Sequence, residues 1–311
     1  MKHEVLMTGP MYPPTIAELE QAYTVHKLWS APDPASLIAS VAERVTAIAS
    51  SNSARLDGPL MEKLPKLKTI AHFGVGYDAV DVDAARKRGI AVTNTPDVLT
   101  EEVADLTVGL LLATIRRIPQ GDRYVREGKW LKGSMALTDS LQGKTVGIIG
   151  IGRIGRAIAR RLLAFNVTLA YQGPNRKMDV AWPHYPDPVS LAREVDIVIA
   201  ACPGGEATRG LVSRAVIDAI GDKGYFVNIS RGSVVDEPAL LEALQQKRIA
   251  GAGLDVFADE PRVPEAFFAL DNVVLQPHVA SATHPTRKAM GQLVIDNLAA
   301  HFSGKPLLTP V

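Results

Sequence analysis

The sequence is poor in cysteine, in aromatic residues and in surplus charge. Only Cys202 among the 311 residues is cysteine, so no internal disulfide can form, which favours a reducing, cytoplasmic compartment. Because 34 Lys and Arg offset 33 Asp and Glu, the net charge of +1 argues against nucleic acid or an anionic membrane as partner. No apolar stretch reaches the ~18 residues of a membrane span, and the start lacks the regions of a secretory signal.

The remaining composition is typical of a globular enzyme. Hydrophobic residues make up 47% and charged residues 22% of the chain. At about 100–200 residues per domain, the length predicts two domains. The N-terminal part carries short apolar runs at 5–7, 47–49, 69–71 and 91–93, separated by helix-like stretches. This alternation predicts a small α/β domain with a parallel sheet.

A second series of apolar runs begins at residue 145. The runs are rich in Val and Ile without polar alternation, which is typical of parallel strands covered on both faces. Six such strands are what a complete dinucleotide-binding domain requires. The tail 286–302 has a helical period, and we expect it to return to the N-terminal domain. The runs are Thr145–Ile149, Val167–Ala170, Ile197–Ala201, Tyr225–Ile229, Gly251–Val256 and Val273–Leu275.

Three segments between these runs carry weaker patterns. A helix beginning near Thr100 is expected to hold Arg116 and Arg117 in its last turn, where cations suit the helix dipole. Segment 121–140 mixes glycine, charge and an isolated tryptophan, which predicts a loop or arm. The Pro-rich stretch 182–188 predicts a loop.

A glycine motif follows the first strand of the second series. Residues 150–155 read Gly-Ile-Gly-Arg-Ile-Gly, which fits G-x-G-x-x-G between a strand and an apolar-periodic helix. In this motif Gly150 makes the tight turn, Gly152 lets a pyrophosphate approach the backbone, and Gly155 lets the helix pack on the strand. A turn without a ligand is the alternative, but five further strands favour dinucleotide binding.

The strand after the motif indicates which dinucleotide binds. NAD enzymes carry an Asp or Glu roughly 20 residues after the loop to bind the ribose 2′-OH, and no acid occurs in 151–178. Arg176, helped by Asn175 or Lys177, can instead pair with a 2′-phosphate. We therefore predict NADPH over NADH. The alternative is a solvated basic turn without function.

Three polar residues follow three later strands, where chemistry sits in open parallel sheets. Singly, Arg231 could be a surface cation, Glu260 a turn acid before a proline, and His278 a loop histidine. Together they provide a guanidinium for the carboxylate of a 2-keto acid, a proton donor for its carbonyl oxygen, and a carboxylate that orients the imidazole. The three side chains are therefore predicted to converge for hydride-transfer chemistry.

Several blocks in the same order resemble the D-isomer-specific 2-hydroxyacid dehydrogenase family, and within it the glyoxylate/hydroxypyruvate reductase branch. The resemblance spans nearly the whole chain. The blocks are His72–Asp78, Asn94–Thr100, the glycine motif, Asn228–Asp236, Gly253–Phe257 with Glu260-Pro261, and Pro277-His278 followed by Ser281–Thr283.

The resemblance implies roles for individual residues. Arg231, Glu260 and His278 match the family's catalytic Arg, Glu and His. Substrate-binding positions are Val75, Gly76, Arg231 and Ser281, with backbone N–H groups of the Val75–Gly76 loop binding the carboxylate. Cofactor-binding positions are Gly150, Gly152, Arg153, Ile154 and Gly155 at the pyrophosphate, Asn175 and Arg176 at the 2′-phosphate, Cys202, Pro203 and Thr208 beside the adenosine half, and Asp255 at the nicotinamide carboxamide.

One position departs from the family pattern. Pro174 stands where many NADP-dependent relatives carry a basic or polar residue, which leaves Asn175 and Arg176 as the expected 2′-phosphate ligands. The resemblance further implies a Rossmann cofactor domain, 98–284, inserted in a flavodoxin-like substrate domain formed by 1–97 and 285–311. It also implies a homodimer whose arm is the segment 121–141.

The expected function is reduction of a small 2-keto acid, glyoxylate or hydroxypyruvate, by NADPH to the 2-hydroxy acid, of D configuration where chiral. An NAD-dependent D-3-phosphoglycerate or D-lactate dehydrogenase is an alternative that the missing acid disfavours. A non-catalytic, cofactor-sensing corepressor-like protein is another. Cys202, with no predicted base beside it, is expected to pack against the cofactor. The histidines show no metal-ligand spacing, so no metal is expected.

Overall fold

Two parallel sheets organise the chain in the computed structural model, which describes residues 2–311. The strands are β1 Glu4–Met7, β2 Thr24–Lys27, β3 Ala47–Ser51, β4 Thr69–Phe73, β5 Ala91–Thr93, β6 Thr145–Ile149, β7 Thr168–Gln172, β8 His184–Tyr185, β9 Ile197–Ala200, β10 Tyr225–Asn228, β11 Gly251–Leu254 and β12 Val273–Leu275. The helices are α1 Pro13–Ala22, α2 Pro34–Val41, α3 Gly58–Glu62, α4 Val82–Lys87, α5 Thr100–Ile115, α6 Ile118–Arg126, α7 Arg153–Leu162, α8 Pro188–Glu194, α9 Arg214–Ile220, α10 Glu237–Gln245 and α11 His284–Phe302.

The chain divides into two compact units. The first comprises the residues up to Leu99 together with Ala282–Val311, and the second is Thr100–Ser281. The sheet of the first unit has the order β2-β1-β3-β4-β5, which is the flavodoxin-like order. Its last residues also pair with this sheet, because the Val311 N–H donates to the carbonyl of Val92 at 3.0 Å. The first unit is therefore built from both ends of the chain.

The second unit holds a seven-stranded sheet of order β12-β11-β10-β9-β6-β7-β8. In chain order this is the Rossmann pattern with one added edge strand, and its switch point lies between β6 and β9. Glycines let helices pack closely on this sheet, because a Cβ on Gly147 would lie 2.9 Å from Leu191 in α8, and one on Gly253 would lie 2.8 Å from Leu110 in α5. The predicted α/β class with two doubly wound parallel sheets is confirmed.

One expectation about local structure is wrong. The helix from Thr100 ends at Ile115, so Arg116 and Arg117 do not lie in its last turn. Arg117 has a left-handed φ of 52°, and Pro119 in the first turn of α6 has no N–H with which to continue α5. Segment 121–140, expected to be a loop or arm, contains the end of α6 and a turn of 3₁₀ helix at Lys129–Lys132, so it is not a loop throughout.

The strand count differs as well. The Pro-rich stretch expected to be a loop contains β8, which pairs with β7 through Tyr171 and His184. Prolines are tolerated there because β8 is an edge strand. The short strand β2 was also missed, since its residues Thr24–Lys27 are half-buried to exposed and carry no apolar run.

Within residues 2–311, no helix is both long and apolar enough to cross a membrane.

Candidate active site

Three neighbouring strands of the second unit end beside one another. β10 pairs with β11 through Asn228 and Leu254, and β11 pairs with β12 through Leu254 and Leu275. Arg231 follows β10, Glu260 follows β11 and His278 follows β12. Because parallel strands end on the same edge of a sheet, the topology carries all three side chains to one place.

His278 and Glu260 form a direct pair. The imidazole Nδ1 lies 2.6 Å from Glu260 Oε2, and Oε1 of the same carboxylate accepts the Phe257 N–H at 3.0 Å. Burial alone would raise the pKa of Glu260, but the hydrogen bond and charge of His278, the Phe257 N–H and the charge of Arg231 hold it below its ordinary value. An ionised carboxylate on Nδ1 leaves Nε2 as the ring atom available for proton transfer.

Arg231 lies close to this pair. The residue after it, Gly232, packs so tightly against the β11 loop that a Cβ there would lie 1.9 Å from the carbonyl carbon of Phe257. Two further contacts fix the position of Arg231, because Asn228 Nδ2 donates to its carbonyl at 3.0 Å and its own Nη1 donates to the Ser230 carbonyl at 2.8 Å. The guanidinium is half-buried, and its charge helps to lower the pKa of Glu260.

Asp255 holds the loop that carries His278. Its two carboxylate oxygens accept the N–H groups of Val279 at 2.8 Å and Ala280 at 3.0 Å, and its carbonyl accepts the His278 N–H at 2.8 Å. His278 has a left-handed φ of 54°, a conformation that a non-glycine residue keeps only when its surroundings impose it. Burial raises the pKa of the fully buried Asp255.

The glycine motif has the geometry that its spacing predicts. Gly150 has a φ of 96°, and a Cβ there would lie 2.6 Å from the backbone of Cys202. A Cβ on Gly155 would lie 2.2 Å from the Gly150 carbonyl oxygen, whereas Gly152 has open space around it. Arg153 and Ile154 begin α7 directly after this loop. The helix N-terminus and the open glycine therefore fit a bound pyrophosphate.

The turn after β7 carries an exposed arginine, and the first acidic residue after it already forms an ion pair. Asn175 and Arg176 are both exposed. The first carboxylate beyond them, Asp179, receives two bonds of 3.0 Å from the Arg156 guanidinium, and the hydrogen bond lowers its pKa. The hydroxyl of the buried Tyr171 accepts the N–H of Lys177 at 2.7 Å and shapes this turn. The arrangement suits a 2′-phosphate better than a free ribose hydroxyl.

The other expected cofactor residues follow β9. Cys202 is buried, which raises the pKa of its thiol and argues against a nucleophile. Its carbonyl accepts a hydrogen bond from the hydroxyl of Ser230. Thr208 closes the adjoining loop by donating to the carbonyl of Pro203 at 2.7 Å. Cys202, Pro203 and Thr208 therefore form one loop at the end of β9, beside the glycine motif.

The expected carboxylate loop belongs to the first unit. Val75 and Gly76 follow β4, and both are half-buried. Their carbonyl oxygens accept hydrogen bonds from two buried side chains, Asn94 Nδ2 at 2.9 Å and His72 Nε2 at 3.1 Å. The sequence predicted no metal ligation by the histidines and assigned no role to the side chains of His72 and Asn94, which appear there only within two blocks of the family resemblance. A histidine two residues before a Gly-x-Gly loop was the available signal.

Comparisons with known proteins agree with this geometry. A family model described as D-isomer specific 2-hydroxyacid dehydrogenase, NAD binding domain, matches residues 108–280. That is more than half of the chain, and it includes the glycine motif and the three strand-end residues. The chain belongs to the D-isomer-specific 2-hydroxyacid dehydrogenase family.

Relatives of this dehydrogenase cover nearly its full length. It is 50% identical to glyoxylate/hydroxypyruvate reductase A of Arabidopsis thaliana over 99% of the chain and 98% of that protein. It is 48% identical to hydroxyphenylpyruvate reductase of Plectranthus scutellarioides over the same shares. A solved structure of NADPH-dependent glyoxylate/hydroxypyruvate reductase from Sinorhizobium meliloti, in complex with NADP and malonate, is 47% identical with a TM-score of 0.94, covering 100% of this chain and 97% of that one.

Two further expectations concern the dehydrogenase's remaining site residues. Ser281 lies in a half-buried turn that closes the second unit before α11. Among residues 2–311, no group of three or more His, Cys, Asp or Glu side chains is arranged to hold a metal ion. The groups that the structure places at the site are an imidazole with its carboxylate, a guanidinium and a glycine-rich loop before a helix.

Proposed function

We propose that this dehydrogenase is an oxidoreductase that reduces glyoxylate and hydroxypyruvate with NADPH. The product from hydroxypyruvate has the D configuration. The observation that carries the proposal is the 2.6 Å pair of His278 and Glu260, at the strand ends beside Arg231. The identities to glyoxylate/hydroxypyruvate reductases and to an NADPH-dependent structure support the substrate class and the cofactor.

The residues divide the reaction between them. Bound NADPH supplies the hydride that the substrate's carbonyl carbon receives. His278 holds the proton for the carbonyl oxygen on Nε2, while Glu260 on Nδ1 orients the ring. Arg231 binds the substrate carboxylate through its planar fork of donors. In the reverse direction the neutral imidazole accepts the proton from the hydroxyl group.

The proposed cofactor contacts follow the described geometry. Gly150, Gly152, Gly155 and the start of α7 hold the pyrophosphate, and Asn175 with Arg176 holds the 2′-phosphate. Support for the second contact is that Asp179 is already paired with Arg156. Cys202, Pro203 and Thr208 line the adenosine half. Asp255 accepts a hydrogen bond from the nicotinamide carboxamide. Each of its carboxylate oxygens already accepts one backbone N–H and has a second lone pair with which to accept another.

The two units take separate roles in the proposal. The second unit, expected from the sequence as 98–284, binds the dinucleotide, and the family match over 108–280 supports this. The first unit, expected as 1–97 with 285–311, binds substrate through the backbone N–H groups of Val75 and Gly76. Ser281 is the further substrate contact.

A substrate panel tests the proposal. NADPH oxidation is followed at 340 nm with glyoxylate, hydroxypyruvate, pyruvate, 3-phosphohydroxypyruvate and 4-hydroxyphenylpyruvate, and each is repeated with NADH. We expect the highest kcat/KM with NADPH and either glyoxylate or hydroxypyruvate. Equal or better activity with NADH would contradict the cofactor assignment, and preference for pyruvate or the phosphorylated acid would favour the lactate or phosphoglycerate alternative.

A second candidate substrate is an aryl pyruvate. The 48% identity to hydroxyphenylpyruvate reductase favours it. A preference for 4-hydroxyphenylpyruvate in the same panel would establish that candidate while leaving the reaction type unchanged. No turnover with any 2-keto acid, together with tight NADPH binding, would instead support the cofactor-sensing alternative.

A homodimer is part of the proposal. In the arm expected at 121–141, Trp130, Leu131 and Leu137 are 68%, 93% and 99% exposed. Large apolar side chains this exposed are typical of a covered surface in the working assembly. Light scattering should give twice the chain mass, and Leu131→Glu should give the single-chain mass. A monomeric parent protein would contradict the dimer.

A cytoplasmic location completes the proposal. Its support is the single, buried Cys202, which suits a reducing compartment. Cell fractionation with an antibody to the protein should recover it with cytoplasmic markers, and recovery with an extracellular fraction would contradict it.

A further inference from the structure

The loop after β4 has its carbonyl groups occupied on one side. Three consecutive carbonyl oxygens each accept one hydrogen bond: Gly74 from the Thr95 N–H at 2.9 Å, Val75 from Asn94 Nδ2 at 2.9 Å, and Gly76 from His72 Nε2 at 3.1 Å. His72 lies in β4, and Asn94 and Thr95 directly follow β5. The strands β4 and β5 are neighbours that pair in the sheet. The carbonyl side of the loop is therefore fixed by the fold of the first unit.

The opposite side of the loop presents donors. In a trans peptide the N–H points away from the carbonyl of the same plane. The three bound carbonyls thus direct the N–H groups of Val75, Gly76 and Tyr77 the other way. Across the described chain, residues 2–311, none of these three N–H groups has a hydrogen-bond acceptor. Val75 and Gly76 are half-buried and Tyr77 is exposed, so an anion can reach them.

His72 is itself held in place. It is 1% exposed, its Nδ1 lies 2.9 Å from the hydroxyl of Ser50, and its Nε2 also lies 3.0 Å from Asn52 Oδ1. Both oxygens near Nε2 accept, so Nε2 carries the proton. A Cβ on Gly74 would lie 2.9 Å from Nε2, so only glycine leaves room for this contact.

We propose that His72 and Asn94 are positioning residues that hold the N–H groups of Val75, Gly76 and Tyr77 in place to bind the substrate carboxylate. The inference rests on the proposed function and adds a third donor, Tyr77 N–H, to the two expected from the sequence. Three preset donors suit a carboxylate, whose two oxygens accept several hydrogen bonds. Because the loop is already ordered, binding does not require the loss of conformational entropy that a mobile loop would undergo.

Four variants test the inference. His72→Leu and Asn94→Ala remove the two side-chain donors. His72→Gln keeps a donor near the position of Nε2. The matched control is His301→Gln in the same unit. The His301 ring contacts two hydroxyl groups of the same sheet region, Thr46 just before β3 at 3.1 Å and Thr69 in β4 at 2.9 Å, but at the opposite end of β4 from His72. The readouts are KM for hydroxypyruvate, the inhibition constant of malonate, the NADPH dissociation constant and the melting temperature.

For His72→Leu and Asn94→Ala we expect KM and the malonate inhibition constant to rise about tenfold, as when one charge-assisted hydrogen bond to the carboxylate is removed. NADPH affinity should stay within about twofold. His72→Gln should restore most of the parent affinity, and His301→Gln should change only the melting temperature.

Two results would overturn the inference. The first is a KM within twofold of the parent value in every variant of His72→Leu and Asn94→Ala that folds, and a single folded variant is enough for this test. The second is an equal rise in His72→Leu and His72→Gln, since the donor would then not matter. Failure of the proposed function would look different, because the parent enzyme itself would not oxidise NADPH with any 2-keto acid.

Discussion

The strand ends of the two sheets present different kinds of chemical group. In the second unit, the strand ends carry polar side chains, Arg231, Glu260 and His278, which are themselves the proposed reactive groups. In the first unit, the side chains of His72 and Asn94 bind carbonyl oxygens, and the proposed ligand donors are the backbone N–H groups of the same loop. Residue type reveals the first kind of site, whereas the second kind appears in the sequence only as glycines with no obvious partner.

The largest expected effect tests the side-chain end of this comparison. His278→Gln should lower kcat about a thousandfold, because a positioned general acid contributes 10²–10⁴-fold. NADPH affinity should not change, since the imidazole acts on the substrate oxygen and not on the cofactor. Steady-state rates from pH 6 to 8 and a fluorescence titration measure both. Near-normal turnover across that range would remove His278 as the acid.

Arg231→Ala should mainly change substrate binding. We expect KM for the keto acid to rise about a hundredfold, because alanine cannot make the bidentate, charge-assisted hydrogen bonds to the carboxylate. Arg262→Ala is the matched control, since Arg262 is exposed, lies two residues after Glu260, and within residues 2–311 forms its ion pair with Asp259 alone. An equal loss of NADPH binding in Arg231→Ala would show that Arg231 contacts the cofactor instead.

Glu260→Gln tests how the two strand-end groups are coupled. Because the pKa of Glu260 lies below its ordinary value, its carboxylate is ionised throughout the neutral range and adds no acid limb there. Its 2.6 Å contact with Nδ1 orients the imidazole for proton transfer. Glu260→Gln should therefore lower kcat about tenfold with NADPH affinity unchanged, because a neutral amide holds the ring less firmly than a carboxylate. A kcat equal to the parent value would contradict the pairing.

The smallest expected effect concerns the turn after β7, where Arg176 is the proposed ligand of the 2′-phosphate. Arg176→Ala should lower kcat/KM with NADPH about tenfold and leave the value with NADH unchanged, because only NADPH carries the 2′-phosphate. NADH is thus the internal control. Equal losses with both cofactors would point to a disturbed turn, and no loss would leave Asn175 as the ligand.

Much of the second unit could be predicted from its sequence. The glycine spacing has a steric cause that the structure reproduces, since a Cβ at Gly150 or Gly155 would overlap nearby backbone. The strand ends at Arg231 and His278 could be located because buried strands of Val and Ile stand out. β8 could not, because an edge strand with prolines needs neither an apolar run nor a full ladder.

The first unit was harder to predict for a physical reason. The role of His72 depends on where the carbonyl of Gly76 points, four residues further along the chain. That direction is set by backbone torsions and by contacts about 20 positions away, His72 with Asn52 and Asn94 with Val75. The histidine before the Gly-x-Gly loop is visible in the sequence, but the direction of this carbonyl is not. Asp179 illustrates the same limit. It is the first acid after the acid-free stretch 151–178, and only the structure shows that Arg156 pairs with its carboxylate.

The central claim is that NADPH transfers hydride to the carbonyl carbon of a 2-keto acid on this protein. The most direct test is to incubate the enzyme with glyoxylate and NADPH that carries deuterium at both positions of nicotinamide C4, and to examine the glycolate by NMR. The account predicts one deuterium at C2 of glycolate for each NADPH consumed. Consumption of NADPH without deuterated glycolate would contradict it.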